Sequence, residues 1–120
     1  MKATENNTGK NVDTAINVTN AVLGALLFSS PWIFGFRADP LAAWNAWFCG
    51  ALALFIALSA ISRAYDWEEW LNLIVGLWTA ASPWLLGFFG VVAAMWVHLF
   101  VGLGLVAFAA MELRRIYLTS

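Results

Sequence analysis

The chain has 120 residues, of which 62% are hydrophobic and 11% charged, with a net charge of −1. Soluble domains carry about 45–50% apolar and about 25% charged residues, and a small domain cannot bury such an excess, so the composition points to a chain that sits in lipid. The balanced charge leaves no basic footprint for nucleic acid, and the single cysteine, Cys49, excludes an internal disulfide framework and a cysteine-based zinc cluster.

Residues 1–14 are polar and of mixed sign (Lys2, Glu5, Lys10, Asp13), which predicts a flexible N-terminal tail. The apolar run that follows is longer than the about 7–15 residues of a signal-peptide core. It also contains Pro31 and Trp32, so no signal peptide is expected. Residue 2 is lysine and the chain ends Leu-Thr-Ser, which match no lipidation signal. Four apolar stretches follow, at about 18–36, 41–61, 70–89 and 91–111, none containing Asp, Glu, Lys or Arg. Each is close to the roughly 20 residues that cross a hydrocarbon core of about 30 Å. None shows the polar face that a soluble bundle helix needs. Four transmembrane helices are therefore predicted, with short links that make neighbours antiparallel.

The second half of the sequence repeats the first. Ser-Pro-Trp-x-x-Gly-Phe occurs at Ser30–Phe36 and again, 52 residues on, at Ser82–Phe88. At the same offset, without a gap, Asn20 meets Asn72, Gly24 meets Gly76, Trp44 meets Trp96, Phe48 meets Phe100, Gly50 meets Gly102, Arg63 meets Arg115 and Tyr65 meets Tyr117. Such a match predicts a duplicated helical hairpin, with repeats at 15–63 and 67–115 and a C-terminal tail at 116–120. Two spans per unit make the copies parallel, related by a pseudo-two-fold axis along the membrane normal. Lys2, Lys10, Arg63, Arg114 and Arg115 fall on one side of the predicted membrane, and Arg37 alone on the other. The positive-inside rule then puts both termini in the cytoplasm. The predicted fold class is all-α: a polytopic membrane protein of four transmembrane helices in two tandem parallel hairpins.

The chain resembles the SPW-repeat family of small bacterial integral membrane proteins, whose motif is Ser-Pro-Trp in the first helix of each hairpin. The resemblance spans about residues 15–117 and is strongest in "WEEWLNLIVGLWTAASPWLLGF", Trp67–Phe88. The first copy departs from it, with Ala15 and Val18 where the second has Trp67 and Trp70. The resemblance implies a multi-pass protein of the bacterial inner membrane and implies no reaction.

The repeated residues suggest structural roles first. Pro31 and Pro83 each remove a backbone N–H and free the carbonyl four residues back, of Leu27 and Thr79. In hydrocarbon such a carbonyl needs a partner, and Ser30 and Ser82 offer hydroxyls. Gly35 and Gly87 suit a helix end or a close approach. Trp32, Trp84, Trp44 and Trp96 toward the outer ends, and Trp67 and Trp70 at the inner edge, fit interfacial anchors. Small residues at helical spacing, including Ala46, Gly50, Ala53, Ala57 and Ala60 in span 2, predict closely packed seams. The span 1 and span 3 stripes run through Gly24, Gly35, Gly76 and Gly87, and the span 4 stripe through Ala94, His98, Gly102 and Ala109.

Three in-span polar residues stand out. Asn20 and Asn72 are expected to bond across helices near the inner side. His98 is the sole histidine; its repeat partner is Ala46, and its depth is about that of Ser82, so a hydrogen bond between them is feasible. An ionisable residue within a span is a functional candidate by default, but one histidine without an in-span carboxylate makes a poor metal or proton-relay site. Cys49 reads as a small packing residue. Asp66, Glu68 and Glu69 read as a solvated acidic patch near Arg63 that suits the start of span 3. No catalytic set, metal site or cofactor is predicted. The expected function is that of a structural or accessory membrane protein, with lipid and a second copy or another membrane protein as partners. The alternatives are a subunit of a small oligomeric transporter or channel, and a cofactor- or quinone-binding protein centred on His98.

Overall fold

The computed structural model describes residues 6–62 and 66–119. Among them are four helices: α1 (Asn6–Ile33), α2 (Pro40–Ser62), α3 (Asp66–Leu85) and α4 (Val92–Thr119). They form an elongated bundle of 50 × 21 × 16 Å. The most extensive packing is within each hairpin, α1 on α2 and α3 on α4; α1 also lies against α4, and α2 against α3.

The helix boundaries follow local chemistry. α1 and α3 stop at Ile33 and Leu85, three or four residues before the apolar stretches end, because Gly35 and Gly87 take φ of 76° and 82°. That left-handed conformation ends a helix and is cheap only for glycine. Pro40 then opens α2, at the one helical turn where a missing N–H costs nothing. At the other end, α1 is already helical from Asn6, inside the segment expected to be a tail, and α4 continues to Thr119. Residues 1–5, Arg63 and Tyr65 lie outside the described residues.

Among the described residues three segments are long and apolar enough to cross a membrane: Thr14–Ile33, Pro40–Ala60 and Val92–Arg115. α3 is not among them, since Asp66, Glu68 and Glu69 occupy its first turn. The distribution of side chains completes the argument for lipid. The outside of the bundle is apolar, with Phe48, Phe55, Trp44, Phe100, Val22 and Leu103 among its exposed side chains. The buried set includes Asn17, Asn20, Asn45, Glu68, Glu69, Asn72, Thr79, His98 and Glu112. Water would favour the reverse arrangement; hydrocarbon favours this one, because polar groups there must turn to protein partners.

Glycine sets the spacing within each hairpin. A Cβ on Gly50 would stand 2.5 Å from the Phe28 amide nitrogen and 2.8 Å from the Gly24 carbonyl oxygen. A Cβ on Gly102 would stand 2.4 Å from the Ala80 nitrogen and 2.7 Å from the Gly76 carbonyl oxygen. Buried Ala42, Ala46, Ala53, Ala57, Ala60, Ala94 and Ala109 continue these seams. Gly35 and Gly87 do not belong to them: both are exposed turn residues with open space around them.

Candidate functional site

The repeated motif builds the end of the bundle opposite the two termini. In the first copy, Ser30 Oγ donates to the Leu27 carbonyl at 2.6 Å, the acceptor that Pro31 leaves without its N–H. The Phe34 amide closes the last turn on the Ser30 carbonyl at 2.8 Å. Gly35 reverses the chain and Trp32 points outward, half exposed, while Phe36 turns in and is 2% exposed. The second copy repeats this path with Leu86 on Ser82, Gly87 at the turn, Trp84 outward and Phe88 inward. It differs in one bond: Ser82 Oγ donates to the Trp78 carbonyl rather than to that of Thr79. The final phenylalanine of the motif is therefore a plug, and the glycine before it provides the turn that aims it.

His98 lies beneath the two plugs. Its ring centroid is 4.8 Å from Phe88 in an edge-to-face contact and 6.4 Å from Phe36. The side chain is fully buried. Nδ1–H donates to the Ala94 carbonyl at 2.8 Å, and Nε2 has no partner among the described residues. The feasible bond to Ser82 does not form: the Ser82 hydroxyl donates one turn back along its own helix instead.

A second polar group joins α2 to α3. Asn45 Oδ1 accepts from Trp78 Nε1 at 3.0 Å and from Cys49 Sγ at 3.6 Å. Thr79 lies beside Cys49, fully buried and with Oγ1 unpartnered. The 52-residue offset exposes an asymmetry: Trp78 corresponds to Leu26, and Asn45 to Val97. Leu26 and Val97 line an open apolar groove of about 350 Å³ between α1 and α4, with Phe34, Ala93, Trp96 and Phe100. At the corresponding place between α2 and α3 the Trp78 indole reaches across and bonds Asn45. A Trp78→Leu protein is expected to lose about 1–3 kcal/mol of stability, from lost packing and an orphaned Asn45 oxygen. Adding Asn45→Val, which copies the first groove, should recover part of that loss. Unfolding of the two single variants and the double variant measures the coupling; strictly additive effects count against it.

A third group occupies the half of the bundle that holds the two termini. Asn17, Asn20, Glu68, Glu69, Asn72 and Glu112 are each at least 98% buried. Glu68 and Glu69 are thus not the solvated acidic patch expected from the sequence; the side chains of Asp66 and Arg63 lie outside the described residues. Burial, with the charge of Glu68 beside it, pushes the carboxyl of Glu69, just ahead of the third apolar stretch, up to about 7. Glu112 lies near enough to Glu69 to feel its charge, and Arg115 forks onto Glu112 with contacts of 3.0, 3.1 and 3.2 Å. Asn20 and Asn72 do not form the expected inter-helix bond: neither amide has a partner among the described residues. Trp44, Trp67, Trp70 and Trp96 all face outward and are exposed, where an interfacial anchor belongs.

Sequence reasoning singled out His98, Asn20 and Asn72. It passed over Asn17, Asn45, Trp78, Thr79 and Glu112, although each breaks or extends a visible pattern. Asn17 and Asn20 share a helix face with spacing i, i+3, as do Glu69 and Asn72 at the matching positions. Asn45 and Trp78 are mismatches in the repeat. Among the described residues no group of three or more His, Cys, Asp or Glu side chains is arranged to hold a metal ion.

No curated protein and no solved structure gives a significant match to the chain. The SPW repeat domain, in contrast, matches residues 14–112, a stretch that holds both Ser-Pro-Trp motifs, both inward phenylalanines and the buried polar residues beneath them. The chain is a member of the SPW repeat family.

Proposed function

We propose that this protein is a four-span component of the bacterial inner membrane, with both termini in the cytoplasm, that acts as a structural or accessory protein through lateral helix association. α3 is the fourth span, its first turn lying at the inner interface. The two hairpins are parallel copies about a pseudo-two-fold axis, a reading supported by the matching glycine contacts at Gly50 and Gly102. The observation that carries the functional reading is the outer surface. It is apolar on every helix, and its aromatic side chains remain uncovered within one chain (Trp32, Trp44, Phe48, Phe55, Trp84, Phe100).

A transporter or channel subunit is the second reading. It is favoured by the unpartnered polar atoms inside the bundle, at Asn17, Asn20, Asn72, Thr79 and His98. Counting fluorophore bleaching steps on singly labelled protein in nanodiscs or native membranes distinguishes the readings, when combined with flux into proteoliposomes. Assembly with a second copy, or with one reproducible membrane partner, and no flux is the expected result. A solitary chain without partners removes the first reading, and solute flux replaces it with the second.

A further inference from the structure

The inner polar group has a composition that simple packing does not explain. Its members come from three helices: Asn17 and Asn20 from α1, Glu69 and Asn72 from α3, and Glu112 from α4. Their levels can be read from contacts between the helices. A Cβ on Gly104 would meet the Leu23 side chain at 3.0 Å, and one on Gly76 would meet Leu105 and Val106 at 2.9 Å. Leu23, Gly76 and Gly104 to Val106 therefore share a level. One turn toward the end that holds the two termini brings Asn20 and Asn72 level with each other, and the next puts Asn17, Glu69 and Glu112 at one height. All five are 98–100% buried.

The unsatisfied atoms there are mainly oxygens. Asn17 Oδ1, Asn20 Oδ1, Asn72 Oδ1 and Glu69 Oε1 all lack a hydrogen-bond donor, while the unpartnered nitrogens are Asn20 Nδ2 and Asn72 Nδ2. A buried amide with neither end satisfied costs free energy, and two of them lie at one level, a turn from a buried carboxylate. An amide can turn its oxygen inward, so each asparagine contributes one hard ligand. The charge is also unbalanced: the Arg115 fork neutralises Glu112, and Glu69 Oε1 has no such partner. Neutral amide oxygens with one uncompensated carboxylate suit a singly charged, hard cation. A divalent ion would call for more acidic ligands, and no such set is present among the described residues.

We propose that the inner half of the bundle binds a sodium ion through Glu69 and the side-chain oxygens of Asn17, Asn20 and Asn72. The other charged groups facing this level are Glu68, Glu112 and Arg115. The ion ties α1 to α3, the two helices that lie diagonally opposite in the bundle. It offsets the Glu69 charge and satisfies amides that would otherwise be orphaned in a low-dielectric interior. The inference stands apart from the assembly reading: it concerns the interior of one chain.

The test is thermal unfolding of the purified full chain in mild detergent, at fixed pH and ionic strength, in sodium, potassium or choline chloride. A ligand that binds only the folded state raises Tm with its concentration. Sodium is expected to raise Tm by about 5 °C in a saturable way, with less effect from potassium and none from choline. Glu69→Gln and Asn72→Leu should each abolish the response. Asn72→Leu should also hold or raise Tm in choline, since an apolar side chain replaces an orphaned amide, so its reading does not depend on a weakened fold. Identical Tm values in the three salts overturn the proposal. So does a sodium response that survives both variants. A Tm that follows pH alone, and does so only while Glu69 is present, overturns it in favour of a bound proton.

Discussion

A Gly102→Ala protein is expected to unfold in far less denaturant than the native chain, by the equivalent of about 3 kcal/mol. The added methyl group is small, and alanine is a better helix former than glycine by about 1 kcal/mol, so propensity alone predicts the opposite sign. Geometry decides. The new Cβ would stand 2.4 Å from the Ala80 nitrogen, 2.7 Å from the Gly76 carbonyl oxygen and 2.8 Å from the Ala80 Cα. All three are backbone atoms, so no rotamer change relieves the clash and the helices must separate. In a membrane bundle, separation loses the van der Waals contact that holds the helices together, and overpacking by a single methylene already costs 1–3 kcal/mol. The effect should be ordered. Gly50→Ala, with backbone contacts at 2.5 and 2.8 Å, ranks with Gly102→Ala. Gly76→Ala ranks lower, because two of its three close contacts, at 2.9 Å, are the side chains of Leu105 and Val106. Gly90→Ala, with nothing within 4 Å, should be neutral. Titration of unfolding in mixed micelles reads the whole series, and a Gly90 variant as damaged as the Gly102 variant would show that the close backbone approach is not what matters.

The second large effect is expected at the plugs. Truncating Phe88 to alanine removes a side chain that is 5% exposed and stacks edge-to-face on His98 at 4.8 Å. Burying a large aromatic contributes enough that Phe→Ala in a core costs about 3–5 kcal/mol; some of that is returned where lipid chains or water can enter the gap. Phe36→Ala should cost less, since its ring is farther from His98, at 6.4 Å. The informative readout is access rather than stability. His98 is fully buried in the native chain and should resist a water-soluble histidine-modifying reagent. In the Phe88→Ala protein the outer mouth opens and His98 should be modified readily, as measured by mass spectrometry of the peptide that carries it. Equal protection of His98 in both proteins would mean that the helices, not the phenylalanines, close the outer end.

Both predictions rest on residues the sequence displays openly, yet only one of the roles could be read there. The small residues at Gly50 and Gly102 announce a close seam, because nothing else explains small side chains at helical spacing in an apolar span. The Gly-Phe that ends each motif announces a helix end but not its consequence. Whether the phenylalanine turns toward lipid or toward the bundle depends on the left-handed glycine before it and on space at the end of four packed helices. His98 stands out as an ionisable group in a span, but its partner does not: Ser82 is at about its depth by residue counting, yet the Ser82 hydroxyl and His98 Nδ1 each bond the backbone one turn away on their own helix. Glu68 and Glu69 were misjudged for a related reason. At the start of a helix they suit the local dipole, and it is the closing of the neighbouring helices around α3 that removes them from water.

What the linear sequence determined was what local chemistry and the solvent can dictate: the lipid environment, helices of membrane length, the 52-residue repeat, where proline and glycine end α1 and α3, and which tryptophans face out. Tertiary structure decided what depends on residues far apart in the chain meeting one another. It set the inward turn of Phe36 and Phe88 over His98 and the bridge from Trp78 to Asn45 where the other side keeps a groove. It also collected Asn17, Asn20, Glu69, Asn72 and Glu112 at one end of the bundle. A repeat in sequence makes two hairpins alike, but the mismatches between them become a site only when four helices close around a common axis.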